Sequence, residues 1–174
     1  MVTNLIKENV APFLMKKQPV GYGKATMADA VAIKALVDAF ANTNDVLPRT
    51  LGEMYENIRD YVVARSSGEV VGCVALHCMW EDIAELRSLI VKEAHQHKGI
   101  GTALLEHALS EAKAMGIKTL VAFTYSPGFF EKLGFGKVVR KDLPPIIFVD
   151  SLKCPKYPNC DCVPMSKVLA GSAK

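Results

Sequence analysis

The chain switches between two apolar periods, and the switches mark its elements. From residue 61 to residue 91 apolar positions alternate or run unbroken for a few residues, which is the habit of strands. Two polar turns, Ser66-Ser67-Gly68-Glu69 and Glu81-Asp82, divide this stretch. Turns so short join antiparallel neighbours, so residues 61–65, 70–80 and 83–91 are expected to form a three-strand meander. From Ile100 the period lengthens: Ile100, Leu104, Leu105, Ala108, Leu109 and Ala112 recur at helical spacing, and Gly116 is placed to close the helix. A strand over residues 118–124 follows, and Ser126, Pro127 and Gly134 read as cap, first position and terminator of a short helix.

The flanks are less regular. Residues 1–20 contain Pro12 and Pro19 and keep neither period, so they are read as an arm, with residues 21–170 as one domain. A short strand at residues 22–26 leads to Asp29 and a helix whose inner face is expected to carry Val31, Ala32, Ala35, Leu36 and Ala39, ending at Asn42-Thr43-Asn44-Asp45. Thr50 with Glu53 three residues on is a capping-box pattern and predicts a second helix to about residue 60. Beyond the short helix come a strand at residues 136–140, an interruption at Pro144-Pro145, a Cys/Pro-rich loop over residues 154–162 and a last strand at residues 164–169.

The join between the third meander strand and the long helix carries the strongest chemical signal. There Gln96-x-x-Gly99-x-Gly101 sets two glycines where backbone must approach a ligand closely. The first-turn N–H groups of a helix lack intrahelical partners and sit at the positive end of its dipole, so this join suits an anion such as a diphosphate.

These residues resemble the GCN5-related N-acetyltransferases, whose acetyl-CoA motif is Arg/Gln-x-x-Gly-x-Gly/Ala between a strand and a helix. The later Phe129-Phe130-x-x-x-Gly134-Phe135 is similar to the family's second cofactor-side helix, and the resemblance covers about residues 22–169. It implies an α/β fold with a mixed, mostly antiparallel sheet flanked by helices, and acetyl-CoA as co-substrate. Its cofactor contacts would be Leu89, Ile90 and Val91, which would pair with the pantetheine arm and supply an oxyanion donor, and Gln96, His97, Lys98, Gly99, Ile100, Gly101 and Thr102, which would hold the pyrophosphate.

Transfer to an amine also calls for a base, and Glu85, two residues before Arg87 on the same strand face, is the first candidate. The Glu-Leu-x-x-Leu-x-Val strand resembles that of acetylglutamate synthases, in which this Glu position deprotonates the amine; His77 is the alternative. Many relatives carry Tyr where this chain has Phe130. In the acetylglutamate synthases, which also have a non-Tyr aromatic there, a hydroxyl residue at the end of the preceding strand is the counterpart acid, and it aligns with Thr124, beside Tyr125. Arg87 is the candidate for binding a substrate carboxylate, since guanidinium matches carboxylate in two-pronged geometry; the competing reading is an ion pair with Glu85 or Asp82. Nothing directs Lys132 or Arg140 inward.

Composition narrows this picture. The 174 residues suit one domain, and 50% hydrophobic with 22% charged residues is ordinary for a globular chain. The net charge of +3 comes without a basic run, which speaks against a nucleic-acid partner, and no stretch has the length of a membrane span or the order of a secretory signal, so a cytoplasmic enzyme is expected. The C-x5-C-x-C array of Cys154, Cys160 and Cys162 departs from ordinary zinc spacing, so no metal is assigned. Its Cys-Pro-Lys-Tyr-Pro-Asn-Cys stretch is similar to the tails of single-domain bacterial acetylglutamate synthase-like proteins. The resulting expectation is acetylation of an amino acid, L-glutamate first, at the entry to arginine biosynthesis. Another amine, or a CoA-binding sensor without activity, remains an alternative, and a homodimer is left open.

Overall fold

The computed structural model describes residues 19–43 and 46–169. Residues 1–18 of the expected arm, and Asn44-Asp45 of the expected helix stop, lie outside the described residues.

Seven strands, β1 (Val20–Lys24), β2 (Tyr61–Ser66), β3 (Glu69–Cys78), β4 (Ile83–Val91), β5 (Thr119–Thr124), β6 (Gly136–Lys137) and β7 (Val163–Val168), form one sheet in the order β1-β2-β3-β4-β5-β7-β6. The expected meander is β2 to β4, and its strands are antiparallel. Among the described residues only β4 and β5 run parallel, because α3 (Ile100–Ala114) carries the chain back across the sheet between them. With α1 (Ala30–Ala41), α2 (Leu51–Glu56) and α4 (Pro127–Glu131) added, this is the expected mixed, mostly antiparallel α/β architecture.

Each face of the sheet is covered by the apolar stripe of a helix. On one side, Ile100, Leu104, Leu105, Ala108 and Ala112 of α3 pack with Val62, Val71, Val74, Leu76, Leu86 and Leu120, and Phe130 of α4 joins them. On the other, Ile33, Leu36 and Val37 of α1 and Met54 of α2 pack with Val63, Cys73, Ala75 and Ile90. The stripe of α1 therefore differs from the expected one: Ala30, Ile33, Leu36 and Val37 are buried, while Val31 is 61% exposed and Ala32, Ala35 and Ala39 face outward. Burying a large aliphatic side chain is worth about 1.5–3 kcal/mol and an alanine far less, so the helix turns to hide Ile33 and Val37 instead of three alanines.

The Thr50–Glu53 box forms as the pattern predicts, Glu53 N–H donating to Thr50 Oγ1 at 3.2 Å and Thr50 N–H to Glu53 Oε2 at 2.7 Å. The cap expected from Ser126 does not form; its N–H instead donates to Thr124 Oγ1 at 2.9 Å. After Pro144, the stretch Pro145–Lys153 is a run of 3-10 turn where only an interruption was expected. Its Ile147 packs on Ile83 and Val121, so this segment lies over the α1 side of β4 and β5. Among the described residues no helix is long and apolar enough to cross a membrane.

Candidate active site

A gap in the sheet lies beside the expected cradle. Strands β4 and β5 pair only from Ile83 with Thr119 to Leu86 with Ala122, whereas β4 continues to Val91 without β5 beside it. Pairing with β3 is interrupted at the same place: Ala75 is opposite Arg87 and Cys73 opposite Ile90, so Ser88 and Leu89 together face Val74. Ser88 sits at φ +49°, a left-handed conformation that a bulge stabilises. Such a bulge bends the strand and shifts its alternation. Ala84 and Leu86 face α3, and beyond the bulge so do Leu89 and Val91, while Ile90 faces α1. The backbone edge of Leu89 to Val91 is thereby left without a paired strand on its β5 side.

The loop after β4 is shaped by its own side chains. Gln96 Nε2 donates to the Val91 carbonyl at 2.9 Å and Lys98 Nζ to the Ala94 carbonyl, so both expected cofactor residues brace the loop. His97 at φ +58° and Gly99 at φ +82° turn the chain into α3, whose first internal bond runs from Ala103 N–H to the Gly99 carbonyl. The N–H groups of Ile100, Gly101 and Thr102 precede that bond, and no side chain caps them. In the same loop His95 Nδ1 is buried with no partner, the only such side-chain atom among the described residues. Uncapped donors and an orphaned imidazole nitrogen fit a phosphate-bearing cofactor.

A Cβ at Gly101 would meet Phe129 at 3.6 Å and Val91 at 3.8 Å, ordinary contact distances. The protein itself therefore tolerates alanine there, and any penalty reports the ligand. Gly101→Ala is expected to keep its melting temperature and to bind acetyl-CoA about ten- to a hundredfold more weakly, the equivalent of one charged hydrogen bond of about 1.5–3 kcal/mol. Calorimetry decides; an unchanged dissociation constant removes Gly101 from the cradle.

Glu85 and Arg87 share one face of β4, as the period-two argument requires. Glu85 is buried, and its Oε2 accepts from Arg87 Nε at 2.7 Å. Burial pushes its carboxyl above the usual range, and the charge and hydrogen bond of Arg87 offset this only in part. His77 lies directly across on β3, its Nδ1 2.6 Å from Asp60 Oδ2, so the alternative base is oriented by a carboxylate and is more than a packed core residue. Thr124 is buried at the end of β5, where its oxygen accepts from Ser126 N–H and leaves its own proton to give. Tyr125 turns away toward Cys160 at 3.7 Å, and Phe130 packs edge-on between Phe129 and Phe135. Arg140 binds the Cys162 carbonyl, and Lys132 is exposed.

Arg87 meets more charge than the sequence implied. Asp150, from the 3-10 run, receives Arg49 Nη1 at 2.7 Å, Arg87 Nη1 at 3.0 Å and Lys153 Nζ at 3.1 Å. Burial works to raise the Asp150 carboxyl, but the Arg49 hydrogen bond and the charges of Arg87 and Arg49 outweigh it and hold it near about 2. Asp82, the other suggested partner, pairs with Lys118 instead. Two guanidinium groups closing on one carboxylate form a carboxylate clamp, here filled by the chain's own side chain. Arg49 and Asp150 had no sequence signal: one follows Pro48 in a loop, the other lies in a stretch without a period.

Residues 34–135 match the model of the acetyltransferase (GNAT) family. An uncharacterized N-acetyltransferase of Chlorobaculum tepidum is 35% identical over 83% of this chain and 94% of its own length. An amino-acid acetyltransferase of Mycobacterium tuberculosis is 34% identical over 66% of this chain and 67% of its own. Among solved structures, a Mycobacterium tuberculosis protein in complex with CoA superimposes with a TM-score of 0.76 at 28% identity, covering 86% of this chain and 99% of that one.

Proposed function

The chain belongs to the acetyltransferase (GNAT) family and is an acetyl-CoA-dependent N-acetyltransferase, and on that premise we propose that its acceptor is the α-amine of an amino acid, L-glutamate first. The observation that carries this reading is the clamp of Arg49 and Arg87 on a carboxylate, at the face of β4 that also holds Glu85. The name of the Mycobacterium tuberculosis relative, an amino-acid acetyltransferase, points the same way. Glutamate would place this domain, residues 21–170, at the entry to arginine biosynthesis in the cytoplasm.

The roles follow from position. Acetyl-CoA supplies an acetyl group activated as a thioester. The N–H groups that open α3, with Gly101 giving close approach, hold its phosphates, and the free edge of Leu89 to Val91 aligns its arm and donates to the developing oxyanion. Arg87 and Arg49 take the acceptor carboxylate in place of Asp150 and so aim its amine. Glu85 removes a proton from the ammonium, and Thr124 Oγ1 gives one to the departing sulfur.

A second reading has its own observation. Arg49, Arg87 and Lys153 already face Glu85, Asp150 and Glu53, so an acceptor with an uncharged side chain adds less charge to a balanced cluster. A panel of glutamate, glutamine, other amino acids and simple polyamines, followed by CoA thiol release, separates the cases. Turnover highest on glutamate supports the first reading, and highest on glutamine the second; turnover confined to polyamines removes the carboxylate clamp from acceptor binding.

A further inference from the structure

The C-terminal loop gathers thiols that acetyl transfer does not use. Cys160 Sγ lies 3.2 Å from Cys162 Sγ and 3.7 Å from the Tyr125 phenol, and Arg140 Nη2 donates to Cys162 Sγ at 2.9 Å. Lys156 stands 4.2 Å from the centre of the Tyr125 ring. Among the described residues no group of three or more His, Cys, Asp or Glu side chains is arranged to hold a metal ion, and a guanidinium against one thiol disfavours a second cation there. Two thiols this close are instead placed to join as a disulfide.

We propose that Cys160 and Cys162 are a redox-active dithiol, with Cys160 the sulfur that a hydroperoxide oxidises and Cys162 the sulfur that resolves it to a disulfide. The two thiols differ in the sense this division needs. Burial raises Cys160, but the N–H and thiol of Cys162, the Tyr125 phenol and Cys154 bring it down to about 7, so a large share is thiolate near neutrality. Cys162 is pushed up to about 11, by burial first and by Cys160 next, against the pull of Arg140. It keeps its proton. The other thiols for which a shift is resolved are less ionised: Cys73 is fully buried and pushed up to about 12, and Cys78, though exposed, is raised by partial burial and by the charges of Asp60 and Glu111.

The chemistry balances in two steps. The Cys160 thiolate attacks the peroxide oxygen, the O–O bond breaks, and a sulfenic acid and hydroxide form. The Cys162 sulfur then attacks Cys160 sulfur; the S–O bond breaks, water leaves with the thiol proton, and two cysteines have given two electrons to one peroxide. Closing the bond draws the sulfurs from 3.2 Å to about 2.05 Å.

The test is hydrogen peroxide at one equivalent on the reduced, full-length protein, then thiol titration and tryptic mapping. Of five thiols two should disappear and return with dithiothreitol. Cleavage after Lys156 leaves Cys160 and Cys162 in one peptide, which should lose two hydrogens, whereas a bond from Cys154 to Cys160 would cross-link two peptides. Cys160→Ser should lose no thiol, and Cys162→Ser should hold a sulfenic acid on Cys160 that dimedone traps. Five surviving thiols, a cross-linked pair of peptides or first oxidation at Cys78 would each overturn the proposal.

Discussion

Replacing Glu85 by glutamine lowers turnover by about 10²- to 10⁴-fold and leaves acetyl-CoA affinity unchanged. The substitution keeps volume and the ability to accept from Arg87 Nε, and removes only the capacity to take a proton. The wild-type pH profile adds a second signature. Because burial raises the Glu85 carboxyl, the base is protonated over a wider acidic range than an exposed glutamate, and the rate climbs with pH as that proton leaves. In Glu85→Gln this limb should vanish. If the limb persists and turnover is kept, the base is His77, already oriented by Asp60, and His77→Gln should then produce the loss.

Replacing Arg87 by alanine weakens binding of a carboxylate acceptor by about 2–5 kcal/mol, about thirtyfold to a few thousandfold. Because Arg87 contacts both Glu85 and Asp150, its loss has a second effect. Glu85 then stays buried without its nearest cation, so the activity limb should move to higher pH as well. Arg87→Lys should recover part of the affinity, since an ammonium offers a point charge where a fork is needed. Loss of preference for glutamate over glutamine would put the contact at the side-chain carboxylate, and equal loss for both at the α-carboxylate. An unchanged Michaelis constant with a lower melting temperature would reduce Arg87 to a structural ion pair. Asp150→Asn is the complementary case: if Asp150 only occupies the clamp ahead of substrate, the Michaelis constant should fall, and if it holds Arg49 and Arg87 in place, it should rise.

What could be read along the chain was what depends on neighbours a few residues apart. The meander from β2 to β4, the glycine-bearing entry to α3, the Thr50–Glu53 box and the common face of Glu85 and Arg87 all follow from period, turn length or side-chain spacing. Local pattern misleads in the rotation of α1, where position alone does not weigh Ile33 against the alanines, and at two element ends: α2 stops at Glu56 with a 3-10 turn to Asp60, and the strand expected at residues 136–140 is only Gly136–Lys137.

The rest was decided by contacts between distant parts of the chain. The bulge at Ser88 needs β3 as its partner and has no composition of its own, yet it parts β4 from β5 and frees the backbone edge. Arg49 and Asp150 are 101 positions apart and meet on Arg87 because the 3-10 run packs Ile147 onto Ile83 and Val121. Charge pairs between elements carry no local pattern; their cost of burial is met only once the fold supplies the partner. Sequence alone thus determined the β2 to β4 meander, the glycine-bearing turn into α3 and the shared face of Glu85 and Arg87, and tertiary packing decided the order of the sheet, which charges Arg87 would meet and how the thiols of the last loop would stand to one another.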